Sequence, residues 1–167
     1  IIKSNLKKYV GNFNGQYKFL DKKLSIDFNA TVANVGEHIA PIAQDAGSNG
    51  TLISLALIWN PTLPLVRSNG QYNQENPSGQ INPLALSDAY NDVSNITTAL
   101  GNVNAAYKFT DWLEYRFIYG LNYGAGNRKG ELQGWIKGTG GNADGQGAAA
   151  VLSNYLFSQT LTHTLSF

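Results

Sequence analysis

Few side chains in this chain could do covalent chemistry. His38 and His163 are the only histidines and Cys is absent, so there is no thiol nucleophile, thiolate metal site or disulfide framework. No Ser, His and Asp stand at a spacing that would build a triad. Glycoside hydrolysis needs two carboxylates at a set separation, and Glu37, Asp88, Asp92 and Asp144 are loop positions that nothing in the sequence joins. GAGNRKG (124–130) has glycines and a Lys but neither the spacing of a phosphate loop nor a helix after it. DAGSNG (45–50) and NADGQG (142–147) lack the alternating ligands and closing Glu of an EF-hand loop. The expectation is of no catalytic residue, no metal and no cofactor, with His163 an interfacial or packed residue on an apolar row.

Recognition chemistry is better represented. Trp59, Tyr72 and Trp135 stand in long connections, where aromatic rings can stack on sugars or peptide side chains while neighbouring Asn and Gln supply hydrogen bonds. Loop aromatics also serve as anchors packed on their own segment, and both roles stand open for each of the three. Charged residues make up 14% of the chain, and 12 Lys and Arg nearly cancel 11 Asp and Glu. Phosphate recognition needs a basic patch, so nucleic acid is not expected as a partner. The longest apolar candidate, 52–59, is interrupted by Ser54 and stopped by Asn60 and Pro61, which excludes a transmembrane helix.

The elements that must position these residues follow a period of two. In WLEYRFIYGLNYGAGNR (112–128), Leu113, Tyr115, Phe117, Tyr119, Leu121 and Tyr123 alternate with Glu114, Arg116, Asn122 and Gly124, a pattern that only a strand sorts onto two faces. Alternation of this kind predicts strands over 6–19, 24–35, 95–109, 112–126 and 151–167. Phe13, Tyr17, Phe28, Tyr107, Tyr115, Phe117, Tyr119, Leu121, Phe157 and Leu161 fall on apolar rows. Asn12, Asn14, Gln16, Asp27, Asn29, Glu114, Arg116 and Asn122 fall on polar ones. Two connections are tight turns, whereas 36–91 and 127–149 are long and rich in Asn, Gly, Pro and Ser. Within the first, 51–59 reads as a short helix that Asn49 or Thr51 can cap and Asn60-Pro61 ends, and a helical turn follows Pro83.

Strands of about 14 to 17 residues exceed the five or six usual in soluble sheets. Tyr17, Phe19, Tyr107, Phe109 and Trp112 gather beside the short turns, and Tyr9 and Tyr123 lie toward the long loops. Short connections at one end, long ones at the other and aromatics at both are features of outer-membrane barrels. The expected fold is therefore all-β, an antiparallel up-and-down transmembrane barrel section with its apolar rows on lipid and its polar rows on the lumen. A soluble sheet with an ordinary core, in a secreted or cell-surface binding module for carbohydrate or protein, is the alternative. Open edges in lipid leave backbone groups unpaired at several kcal/mol each. Five strands cannot close a barrel, and the chain has no Met and no signal peptide at IIKSNLKKY, so it is expected to be a fragment of a longer polypeptide.

GNVNAAYKFTDWLEYRFIYGLNYG (101–124) resembles the strand, tight turn and strand of the SusC-like TonB-dependent outer-membrane transporters. LALIWNPTLPLV (55–66), NPLALSDAYND (82–92) and SNYLFSQTLTHTLSF (153–167) resemble the intervening loop and following strand of that family. The resemblance implies a barrel of about 22 strands closed by an N-terminal plug. It further implies import of an oligosaccharide or peptide across the bacterial outer membrane, a SusD-like surface lipoprotein as lid, and energy from the TonB complex acting through the plug. The chain lacks the plug and most of the strands, so it is not expected to transport alone.

Overall fold

The computed structural model describes residues 3–41, 52–75, 79–138 and 145–167. Strands β1 (Asn5–Phe19), β2 (Leu24–His38), β3 (Tyr90–Lys108), β4 (Glu114–Leu132) and β5 (Ala148–Ser166) form one antiparallel sheet in sequence order. The sheet is open, with β1 and β5 as its edges. Two short helices, α1 (Leu52–Ile58) and α2 (Pro83–Ala89), lie in the connection between β2 and β3. No described helix is long and apolar enough to cross a membrane.

Side-chain pairs fix one register across the sheet. Asn12 meets Thr31, the Phe28 ring covers Gly15, and Asn29 and Asn34 bond Asn102 and Thr97. Asn91 bonds Glu131, Phe117 lies against His163, and Asn127 bonds Ser153. No residue is gained or lost along these ladders, so the sequence parity of each strand translates directly into two faces.

The strand ends differ from the alternation. Phe109 N and Thr110 N both donate to Leu113 O (2.9 and 3.4 Å), which places Trp112 in the turn and starts β4 at Glu114. At its far end β4 continues through GAGNRKGEL, a segment without apolar alternation, because Asn127, Arg128 and Glu131 find partners on β5 and β3. β3 starts at Tyr90, directly after α2, whose last residue Ala89 accepts a bond from Gln133 N (2.9 Å). The connection expected over 36–91 is thus shortened at both ends, and the one over 127–149 gives up residues to β4 and β5. Asn49, Thr51, Asp144, the DAGSNG loop and the first three residues of NADGQG lie outside the described residues.

The turn between β1 and β2 holds Leu20, Asp21 and Lys22 at φ of 52, 52 and 71°, closed by Lys23 N donating to Leu20 O (3.0 Å). Three successive non-glycine residues in the left-handed region are costly, and the ladders on either side hold them there.

The chain divides into two compact units. One, Lys7–Gly36, Asn95–Asn127 and Ser153–Phe167, is a stretch of two-faced sheet. The other, Ile1–Leu6, Glu37–Ser94 and Arg128–Leu152, has its own core of Leu52, Leu55, Ile81, Ala85, Leu86, Ala89, Leu132 and Ile136, with Tyr72 and Tyr90 packed against it. In this second unit α2 is nucleated by Asn-Pro: Asn82 Oδ1 accepts from Leu84 N (2.9 Å) and Ala85 N (3.2 Å), and Pro83 fills the first helical position.

Candidate functional site

In the helix-bearing unit the structure brings Tyr72 and Trp135 together, ring centroids 5.4 Å apart and nearly parallel. Tyr72 pairs with Val66 across a small hairpin whose turn is closed by Arg67 and Gly70. Buried Asn82 secures that hairpin, donating to Leu65 O (2.7 Å) and Asn73 O (3.0 Å). Gln74 holds the other ring in place: its amide donates to Trp135 O (3.3 Å) and accepts from Lys137 N (2.6 Å). Ile136, between them, is fully buried, while Trp135 keeps 39% of its surface in solvent. The outcome is a half-exposed aromatic platform edged by Gln74 and Gln133, whose side chain accepts from Trp135 Nε1. Trp59 has a different role in the geometry: its Nε1 donates to Leu63 O (3.0 Å), closing the turn at Asn60.

The Tyr72 hydroxyl bonds the Asp88 carboxylate on α2, and Lys3 bonds the same carboxylate. The Lys3 ammonium, and after it the Tyr72 hydroxyl, hold Asp88 below the usual carboxylate range, and that negative partner raises Tyr72 above the ordinary phenol range. Asp92 is 2% exposed. A buried carboxylate requires a partner, and Arg128 Nε supplies a fork at 3.0 and 2.9 Å, joined by the Tyr90 hydroxyl at 2.9 Å. Two carboxylates considered for hydrolysis are therefore each engaged by a cation and a phenol. Lys3, Gln74 and Asn82 were not marked by sequence reasoning. Only Asn82 carried a signal, the Asn-Pro step ahead of an apolar run.

In the sheet unit the expected rows are two real faces. On one, Asn29 Nδ2 donates to Asn102 Oδ1 (3.1 Å), Thr31 Oγ1 to Asn12 Oδ1 (2.8 Å) and Arg116 Nη2 to Glu114 Oε1 (3.0 Å). Asn14, Gln16, Asp27 and Asn29 line a depression of about 620 Å³ on this face, and Asn29 and Asn122 another of about 360 Å³. Asn104 Oδ1 is buried beside the first with no hydrogen-bond partner among the described residues.

The other face carries the rings. Phe28 lies on Gly15, and the pairs Tyr17–Phe19, Tyr107–Phe109, Tyr123–Tyr155 and Tyr155–Phe157 are in contact. His163 sits between Tyr115, whose hydroxyl is 2.6 Å from Nδ1, and Phe117. Phe13, Tyr119, Leu121 and Leu161 share these rows by parity. Toward the long-connection end the same face turns polar: Asn34 Nδ2 donates to Asn95 Oδ1 (3.0 Å) and Thr97 Oγ1 (2.9 Å), and Ser153 Oγ to Asn127 Oδ1 (2.8 Å). From Leu24 to Val32 the apolar row therefore spans about 26 Å along the strand before the polar belt begins. This belt was readable from parity, had the rows been followed to their ends.

Compared with known proteins, the chain matches no family model, and no curated protein matches it.

Proposed function

We propose that this chain forms part of the wall of a transmembrane β-barrel in a bacterial outer membrane, and that the barrel imports an oligosaccharide or peptide in a TonB-dependent manner. The observation that carries this reading is the bounded apolar face. Rings and aliphatic side chains occupy about 26 Å of strand, which at the tilt of barrel strands spans about 20 Å, most of the height of an outer-membrane hydrocarbon band; laterally bonded Asn, Thr and Ser cross it at one end, and Tyr17, Phe19, Tyr107 and Phe109 mark the other. The opposite face, lined with neutral amides, suits a hydrated lumen. On this reading the free edges of β1 and β5 pair with further strands, since unpaired backbone groups are costly in lipid. The Tyr72–Trp135 platform, on the substrate side, takes the planar faces of sugars or peptide side chains. A SusD-like lipoprotein and the TonB complex are the partners this proposal adds from the family resemblance.

Membranes from cells making the complete polypeptide test it. Photoactivatable lipid should label Phe117, Tyr119 and Leu121 and spare Asn122, and release should require detergent. Release by carbonate would end the membrane reading. The platform belongs to a unit with its own core, which favours the second reading of a secreted or cell-surface binding module. Carbonate release with retained glycan binding would support that one.

A further inference from the structure

On the polar face of the sheet unit, amide oxygens are supplied with donors by their neighbours: Asn102 Oδ1 accepts from Asn29, and Asn12 Oδ1 from Thr31. One spot departs from this. The register that sets Asn29 opposite Asn102 also sets Asp27 opposite Asn104. Asn104 Oδ1 is buried and has no donor among the described residues. The Asp27 carboxylate makes no ion pair or side-chain hydrogen bond among them. Gln16, opposite Asp27 on β1, does not donate to it. Lys18, the nearest cation on this face by register, stands on the diagonal, roughly 7–8 Å away, and makes no ion pair either.

A buried acceptor without a donor and a carboxylate without a counter-ion lack the same thing, a positively charged N–H group. Both side chains line the depression of about 620 Å³, and neither residue is fully buried. Residues directly opposite on paired strands have Cβ atoms about 5 Å apart, so one ligand group reaches both. A sugar hydroxyl carries a single proton and can serve only one of the two oxygens at a time. A guanidinium gives a carboxylate two parallel N–H bonds and keeps three more for amide oxygens. We infer that this depression is a binding site for the guanidinium group of an arginine-bearing peptide, with Asp27 taking the fork and Asn104 Oδ1 a further N–H. The site requires only that the polar face meets water, which both readings of the chain provide. On the barrel reading it favours a basic peptide over a neutral oligosaccharide as cargo.

The purified full-length polypeptide, kept in detergent if it needs one, is titrated calorimetrically with three probes. They are blocked glycyl-arginyl-glycine, its citrulline counterpart, which keeps the shape and loses the charge, and the neutral sugar maltotriose. Hydrogen bonds to charged groups are about twice as strong as neutral ones, so the arginyl peptide should bind about tenfold more tightly than the citrullyl one. Asp27→Asn should abolish that preference, and Asn104→Ala should weaken arginyl binding about fivefold. Equal binding of the two peptides, a preference that survives in Asp27→Asn, or no binding of any probe overturns the inference. So does maltotriose binding more tightly than the arginyl peptide and losing its affinity in Asp27→Asn, which would assign the depression to a neutral saccharide. None of these results touches the membrane reading, which lipid labelling and carbonate release test separately. The comparison of the two peptides on the wild type decides the matter if a variant does not fold.

Discussion

At the scale of the residue, two positions carry more than their composition suggests. Asn82 is 2% exposed and fills all four of its amide bonds, two to the start of α2 and two to the backbone at Leu65 and Asn73. Asn82→Ala removes a helix cap worth about 1 kcal/mol and leaves the buried Asn73 O without its donor, while Leu65 O keeps the bond from Asn73 N, so the expected loss is about 2–4 kcal/mol. Urea unfolding followed at the Trp135 fluorescence measures it; a loss within 0.5 kcal/mol, the usual range for a surface substitution, would mean that water replaces those bonds. Gly15 is a case of shape. A Cβ there would lie 2.2 Å from Phe28 Cε1, so Gly15→Ala must push the ring off its strand. The cost should be about 1–2 kcal/mol, as for overpacking, and Phe28→Leu in the same chain should recover most of it. Recovery absent in the double variant would show that the ring is not what fills the space.

At the scale of the element, one carboxylate ties α2 both to the hairpin and to the chain ahead of β1. Asp88 accepts from Lys3 and from Tyr72, whose ring stacks on Trp135, so the helix, the hairpin and the chain ahead of β1 share a node. Because the folded state depresses the Asp88 pKa, its contribution is present above the unfolded carboxylate value near 3.9 and is lost as pH falls through the lower folded value. The thermal midpoint of the wild type should therefore drop as pH falls below about 4, and Asp88→Asn should flatten that limb while lowering the midpoint at pH 6. An identical acid limb in both proteins would remove Asp88 from the account. Tyr72, Asp88 and Trp135 stood out singly in the sequence, but the node they form with Lys3 was not visible there, because tertiary packing brings the four together and no local pattern pairs them. The strands were legible for the opposite reason. A period of two is a local property, and Tyr115 to Tyr123 displays it without help from the rest of the chain. Where the period fades, as in GAGNRKGEL, the backbone ladder still continues through partners that only the neighbouring strands supply, and the predicted boundary fell short.

At the scale of the whole molecule, amphipathic strands alone do not choose between a protein core and a bilayer, since an arginine on the apolar face is unwelcome in either. Depth separates them. Tyr119 lies at the middle of the apolar row of β4, Tyr123 near the end where Asn34, Asn95, Thr97, Asn127 and Ser153 make the polar belt, and Asn122 on the opposite face. In a membrane, Tyr119→Arg should cost about 2–4 kcal/mol, Tyr123→Arg about 1 and Asn122→Arg close to nothing, since the penalty falls from midplane to interface and lumen positions face water. The decisive variable is acyl-chain length. Shorter chains lower the hydrocarbon boundary, so Tyr123→Arg should be relieved in thin bilayers while Tyr119→Arg is still penalised. A protein core has no such dependence. The measurement is the folded fraction of each variant in vesicles of increasing chain length, read by resistance to added protease. A penalty at Tyr123 that does not change with chain length would mean that the apolar face packs against protein, and the rings from Phe13 to Leu161 would then form one wall of a core whose other wall is supplied by another polypeptide segment.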